Sequence, residues 1–112
     1  GESMDQGVKQ LAELRERIAG AALEDKSAAF NTARIEALEL HNLLEVAEAT
    51  AISANVRTES RGAHARDDYQ ERDDTNWLCH SMYFPSDKRV GKRGVNFAPV
   101  TVDTFEPMAR VY

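Results

Sequence analysis

The chain has 112 residues, 42% of them hydrophobic and 29% charged, with a formal net charge of −5. That is enough for one small domain with a modest core, and it leaves little surface for an elaborate active-site cleft. The acidic balance argues against general nucleic-acid binding, which rests on neutralising phosphates; with no apolar run of about 18 residues and no signal-like start, nothing points to a spanning helix or to export.

The charge is unevenly spread. Residues 1–56 carry five Lys and Arg against ten Asp and Glu, residues 57–93 eight against seven, and residues 94–112 one against two. A solvated acidic helix face accounts for the first part. The single cysteine, Cys79, excludes an intramolecular disulfide and fits a reducing compartment. One thiol cannot make a thiolate zinc site without several other ligands.

In chain order, Met4, Val8, Leu11, Leu14 and Ile18 step by four, three, three and four, which predicts a helix with one apolar stripe from Met4 to about Ala22. Gly20 and the polar run Glu24-Asp25-Lys26-Ser27 end it in a loop. Asn31 or Thr32 can cap a second helix that runs to about Arg57 without an interior Gly or Pro. Its apolar residues, among them Ile35, Leu38, Leu43, Val46 and Ile52, spread too widely for one narrow stripe to cover. The small residues Ala47, Ala51 and Ala54 allow close approach. The second helix is therefore expected to need at least two packing partners. From His64 to Asn76 the chain reads as a polar connector, and Trp77 to Phe84 as a strand ended by Pro85. Ser86 to Gly94 reads as a turn, after which Val95-Asn96-Phe97 and, past Pro99, Val100-Thr101-Val102 can pair back as a hairpin. Pro107 to Tyr112 reads as an extended tail.

Reactive side chains are densest from Arg57 to Asp68, in the run Arg57-Thr58-Glu59-Ser60-Arg61-Gly62-Ala63-His64-Ala65-Arg66-Asp67-Asp68. Three readings are open. A metal site would use His64, Asp67, Asp68 and His80, but the spacing fits no compact ligand pattern and the arginines repel a cation. Acid–base chemistry by His64 or Asp67 needs a dry cleft and a positioned partner, and the sequence shows neither. The favoured reading is a charge-rich helix terminus that docks onto another surface, with Arg57, Arg61 and Arg66 forming planar bidentate pairs and Gly62 supplying a turn of positive φ. No nucleophile elbow surrounds Ser60, no phosphate loop is present, and Asp73-Asp74 is too short a series for a calcium loop. Trp77 and Tyr83 read as core or interface residues.

Several stretches together resemble one family. They are Phe30-Asn31-Thr32, Ala37-Leu38-Glu39-Leu40, Asn42-Leu43-Leu44, Ser53-Ala54-Asn55, Arg57-Thr58-Glu59-Ser60-Arg61-Gly62-Ala63-His64, Glu71-Arg72-Asp73-Asp74, Asn76-Trp77-Leu78, His80-Ser81 and Arg110-Val111-Tyr112. The chain resembles, over nearly its whole length, the C-terminal domain of the succinate dehydrogenase and fumarate reductase flavoprotein subunits. L-aspartate oxidase shares the Glu59-to-Gly62 core. Asn42-Leu43-Leu44, Ser53-Ala54-Asn55 and Trp77 look more like succinate dehydrogenase. Gln70 stands where the family usually has a proline, and the tail has Glu106-Pro107 where two prolines are common; both bear on local turn shape.

The resemblance implies a mainly α fold. An antiparallel helical bundle, with two long helices here and a further helix upstream, precedes a small β-hairpin and an extended C-terminal tail. Residues 1–62 are the bundle part and residues 63–112 the connector, hairpin and tail, together one C-terminal domain of a larger flavoprotein. Gly1 is then an internal position of that protein and Tyr112 its natural end. The resemblance further implies FAD bound covalently upstream of this segment. It places flavin-binding and capping domains in the same parent chain, and iron–sulfur and membrane-anchor subunits beside it. The location it implies is the cytoplasmic face of a bacterial inner membrane, or the matrix side in mitochondria. No catalytic, cofactor-binding or metal-ligating residue is expected in the segment itself, and no nucleic-acid partner. The docking residues are expected to be Arg57, Glu59, Ser60, Arg61, Gly62, His64, Arg66, Trp77 and Arg110. The isolated segment is expected to be inactive and to self-associate.

Overall fold

The computed structural model describes residues 1–108 and is mainly helical with one small hairpin. Arg110, Val111 and Tyr112, including the predicted docking arginine, lie outside the described residues. The chain divides into two compact units, one of residues Gly1–Asn55 and a second that begins at Val56.

In the first unit α1 spans Glu2–Ala19 and ends at Gly20; α2 spans Thr32–Val56. Asn55 Nδ2 donates to Asp5 Oδ1 at 2.8 Å and Arg15 Nη2 donates to Glu48 Oε2 at 2.6 Å, so one helix ascends in number as the other descends and the pair is antiparallel. The inward stripe of α1 differs from the predicted one at a single turn. Leu14 is exposed at 37%, and half-buried Arg15 takes the inward position. Met4, Val8, Leu11, Arg15 and Ile18 then step four, three, four and three, the heptad spacing of a helix–helix seam. The Arg15 stem covers apolar surface while its head pairs with the buried Glu48.

Asn31 caps α2. Its Oδ1 accepts from Arg34 N at 2.8 Å, and its Nδ2 donates to the carbonyls of Asp25 and Ser27 at 3.1 and 3.0 Å. One buried amide thus satisfies an orphan helix N–H and fixes the preceding loop. The inner side of α2 buries Leu44 and Glu48, whereas Ile35, Leu38, Leu43 and Val46 are 56–67% exposed. The second apolar face anticipated from the sequence is present and open.

The second unit departs from the prediction in three places. The polar connector contains a short helix, α3, at Asp74–Trp77, because Asp73 Oδ1 accepts from the backbone N–H groups of Thr75 and Asn76 and caps it. The strand therefore begins later than Trp77: β1 is Cys79–Phe84. Its partner β2 is Arg89–Gly94, the stretch read as a turn, while 95–97 and 100–102 form no strand. Charged residues and glycines obscured the strand, although Val90 and the tight turn at Pro85–Lys88, with Lys88 at φ 54°, favour it. Between helix and connector, Arg61 and His64 exchange two backbone hydrogen bonds at 2.8 and 3.0 Å, with Gly62 at φ 59°. A two-residue turn with positive φ at its first central position alone is the type II′ pattern, and it requires glycine there.

Asn31→Ala should lower stability by about 1–2 kcal/mol, since it removes the cap and both loop anchors. Asn31→Asp, which keeps the acceptor and loses the two donors, should fall between, and thermal unfolding of the three proteins checks that order. The open face of α2 predicts that the isolated chain self-associates, with a light-scattering mass that rises with concentration. A constant monomer mass contradicts it.

Candidate functional site

The residues following α2 close on one side chain. Glu59 has no exposed surface, so its carboxylate is tolerable only with every lone pair engaged. Arg61 forks onto it, Nε to Oε1 at 2.9 Å and Nη2 to Oε2 at 3.0 Å. Arg57 Nε donates to Oε1 at 2.7 Å, and the backbone N–H of Asp73 donates to Oε2 at 2.9 Å. Burial pushes the Glu59 carboxyl up, but the bonds from Arg61, Asp73 and Arg57 outweigh it and hold the group below its ordinary value.

Each arginine then reaches outward. Arg57 donates through Nη1 to Cys79 O and Ser81 Oγ at 3.2 and 3.1 Å and through Nη2 to Trp77 O, tying the network to α3 and β1. Arg61 Nη2 binds Asp74 Oδ1 at 2.6 Å, and Arg72 Nη2 lies 2.9 Å from Asp74 Oδ2. The Glu59 bond raises the Arg61 pKa beyond its usual value against some desolvation, so this cation stays charged. The Arg61 bond, with Arg72 beside it, lowers Asp74. Trp77 is buried, its Nε1 donates to Thr58 Oγ1 at 2.9 Å, and Lys92 Nζ lies 3.5 Å from its ring centroid.

A second cluster seals the first carbonyl past α2. Arg57 O meets His64 Nε2 at 3.2 Å and Arg66 Nη1 at 3.0 Å. Arg66 is buried and grips Asp68 with two bonds, Nε to Oδ1 at 2.9 Å and Nη2 to Oδ2 at 2.7 Å, which holds the Asp68 carboxyl well below the usual range. Ser60 Oγ accepts from Arg66 N at 2.9 Å and donates to Tyr69 O at 2.7 Å.

Arg57, Glu59, Ser60, Arg61, Gly62, His64, Arg66 and Trp77 are thus brought together in one network. The sequence reasoning missed Asp73 and Asp74, which it placed in the polar connector, and Arg72. The signal available was an Asp two and three residues ahead of an Asn-Trp pair, the pattern of an N-cap. In this arrangement the ionised groups pair with one another, and the Ser60 hydroxyl serves two backbone groups. Beside it lies a hollow of about 500 Å³ lined by Ser60, Arg61, Arg72 and Met108 among others.

Glu59→Gln keeps the side-chain shape but leaves two guanidiniums without their shared charge, and should cost about 3 kcal/mol. Because Glu59 and Asp74 are held below their ordinary values, their contribution is complete above the usual carboxylate range and is lost as pH falls through the lowered values. Thermal unfolding followed downward from neutral pH should show a steep acid limb in the parent protein and a shallower one in Glu59→Gln. Equal melting points and equal acid limbs contradict this account.

Comparison with known proteins bears on what such a surface serves. The family model described as the C-terminal region of fumarate reductase flavoproteins matches residues 1–112. The chain is 55% identical over 109 residues to the succinate dehydrogenase flavoprotein subunit of Coxiella burnetii, covering 97% of this chain and 18% of that protein. It is 42% identical over 110 residues to the fumarate reductase flavoprotein subunit of Haemophilus influenzae, covering 98% and 18%. Among solved structures it is similar to the FrdA chain of a mutant E. coli quinol fumarate reductase, with a TM-score of 0.83 and 39% identity over 99% of this chain and 19% of that one. The chain thus spans about a fifth of the length of these relatives. A helical pair followed by a buried glutamate between two arginines and a short hairpin, matched from first residue to last, places this chain in the family of succinate dehydrogenase and fumarate reductase flavoprotein C-terminal regions.

Proposed function

We propose that this chain is the structural and docking domain of the flavoprotein subunit of a succinate dehydrogenase, a parent enzyme that oxidises succinate to fumarate with FAD. The observation that carries the reading is the wholly buried Glu59 between Arg57 and Arg61. Such a network stiffens a segment and presents guanidinium edges. The higher identity to the Coxiella burnetii succinate dehydrogenase subunit than to the Haemophilus influenzae fumarate reductase subunit supports the choice between them.

In this reading the flavin and the dicarboxylate are bound upstream in the parent chain, with the flavin attached covalently there. Residues 1–62 supply the bundle part, and 63–112 the connector, hairpin and tail. Arg61, with Glu59, His64 and Arg66 holding the segment in shape, fastens it to the flavin-binding body, and Arg110 adds a second tie. The open face of α2 packs against a further helix of the parent. Iron–sulfur and membrane-anchor subunits complete a succinate:quinone oxidoreductase on the cytoplasmic face of a bacterial inner membrane or the matrix side in mitochondria.

Arg61→Ala in the full-length subunit should reduce flavin retention and the yield of assembled complex. Arg61→Lys, which keeps the charge but loses the fork, should fall short of full recovery. Normal flavin content together with a normal melting point in Arg61→Ala removes the proposal.

A further inference from the structure

The hairpin has two unlike faces. In its register Cys79, Ser81 and Tyr83 stand opposite Gly94, Lys92 and Val90, while His80, Met82 and Phe84 stand opposite Arg93, Gly91 and Arg89. Residues directly opposite share a face, and faces alternate along each strand. The first face is committed inward, since Ser81 Oγ accepts from Arg57 and Lys92 lies over Trp77. The second face therefore turns away from the arginine network.

That outer face is ordered as a ridge. The Phe84 ring lies over Gly91, where an added Cβ would meet ring Cε2 at 3.2 Å. The Arg89 guanidinium sits 4.0 Å from the Phe84 centroid, with only a long contact of 3.3 Å to Asp87. At the other end Arg93 stands opposite His80, and both are exposed. Neither has an acidic partner among the described residues. An apolar strip of Phe84 and Met82 is thus flanked by two guanidiniums on a chain whose net charge is −5.

We infer that this outer face docks an acidic, extended segment of a partner subunit of the parent complex. Arg89 and Arg93 lie four residues apart on one strand, about 13 Å. They pair with two carboxylates of similar spacing, and an apolar side chain between those carboxylates seats on Phe84 and Met82. Charge complementarity selects the partner, and planar guanidiniums suit carboxylates. A lipid surface is the weaker match, because only Arg89 and Arg93 of the hairpin's cations stand on this face, whereas polybasic membrane sites gather about four to eight. A separate subunit is preferred to the parent's own body because the face points away from the network that is proposed to dock there. The inference rests on that docking reading.

The test uses the full-length flavoprotein subunit and its purified partner subunits, comparing the parent protein with the double variant Arg89→Glu/Arg93→Glu and with Arg93→Gln. The double variant should bind the partner subunits about tenfold more weakly or worse, with a flatter dependence on ionic strength. Flavin content and melting point should be unchanged. Arg93→Gln, which removes no contact of the fold, should give a smaller loss in the same direction. Unchanged affinity and salt dependence in both variants overturns the inference. So does a loss confined to vesicles of phosphatidylglycerol in phosphatidylcholine, which assigns the face to lipid. Loss of flavin in the double variant, with partner affinity intact, sets the face against the parent's own body instead. Because Arg61→Ala reads flavin retention and this experiment reads subunit affinity, either proposal can fail while the other stands.

Discussion

A carboxylate without exposed surface is the constraint on which the second unit of this protein depends. Glu59 can remain ionised there only because a forked arginine, a second arginine and a backbone N–H supply four donors. Those donors come from residues 57, 61 and 73, so satisfying one charge closes the chain back on itself. The donors then fix their own surroundings. Arg57 holds Trp77 and β1, and Arg61 holds Asp74, which also pairs with Arg72. A segment with little apolar core is organised by ionic and hydrogen-bonded contacts, among which Trp77 is the one buried aromatic of the described residues.

The same principle operates more sparingly in the first unit. Arg15 and Glu48 form an ion pair at the seam of two antiparallel helices, where a coiled coil would place leucine. A single polar position of this kind fixes register at some cost in stability. Here it sits between Leu11 and Ile18 on α1, so sliding the helices by one turn would strand a buried charge. The small side chains on the inner side of α2, such as Ala37 and Ala51, suit a narrow approach, while its outer side keeps an open apolar face. Internally fixed geometry is thus combined with exposed apolar surface, in a chain that spans about a fifth of the length of its relatives.

Much of this was legible in the sequence, and the failures have physical causes. The two long helices followed from apolar spacing, the Asn31 cap from its position, and the positive φ of Gly62 from the turn after α2. The inward stripe of α1 was misread at Leu14 because a hydrophobic pattern cannot credit an arginine that buries its stem and pairs its head. Strand β2 was read as a turn because Arg89, Lys92 and Arg93 are exposed and two glycines interrupt it; only the pairing with β1 makes it a strand. The clustering of Arg57, Glu59 and Arg61 was visible as a motif, yet Asp73 joins through its backbone N–H, which no side-chain pattern reports. The docking roles assigned to these residues rest on the resemblance and on chemistry, and the geometry supplies the rigid frame they need.

The most direct test of the Glu59 hub is a double-mutant cycle between Glu59→Gln and Arg61→Met in the full-length subunit, read by reversible unfolding. If one buried charge organises the network, either change should destabilise nearly as much as both together, giving a coupling of about 2 kcal/mol or more. Additive effects, agreeing within about 0.5 kcal/mol, would mean that the two residues act independently and that the segment is held together by something else.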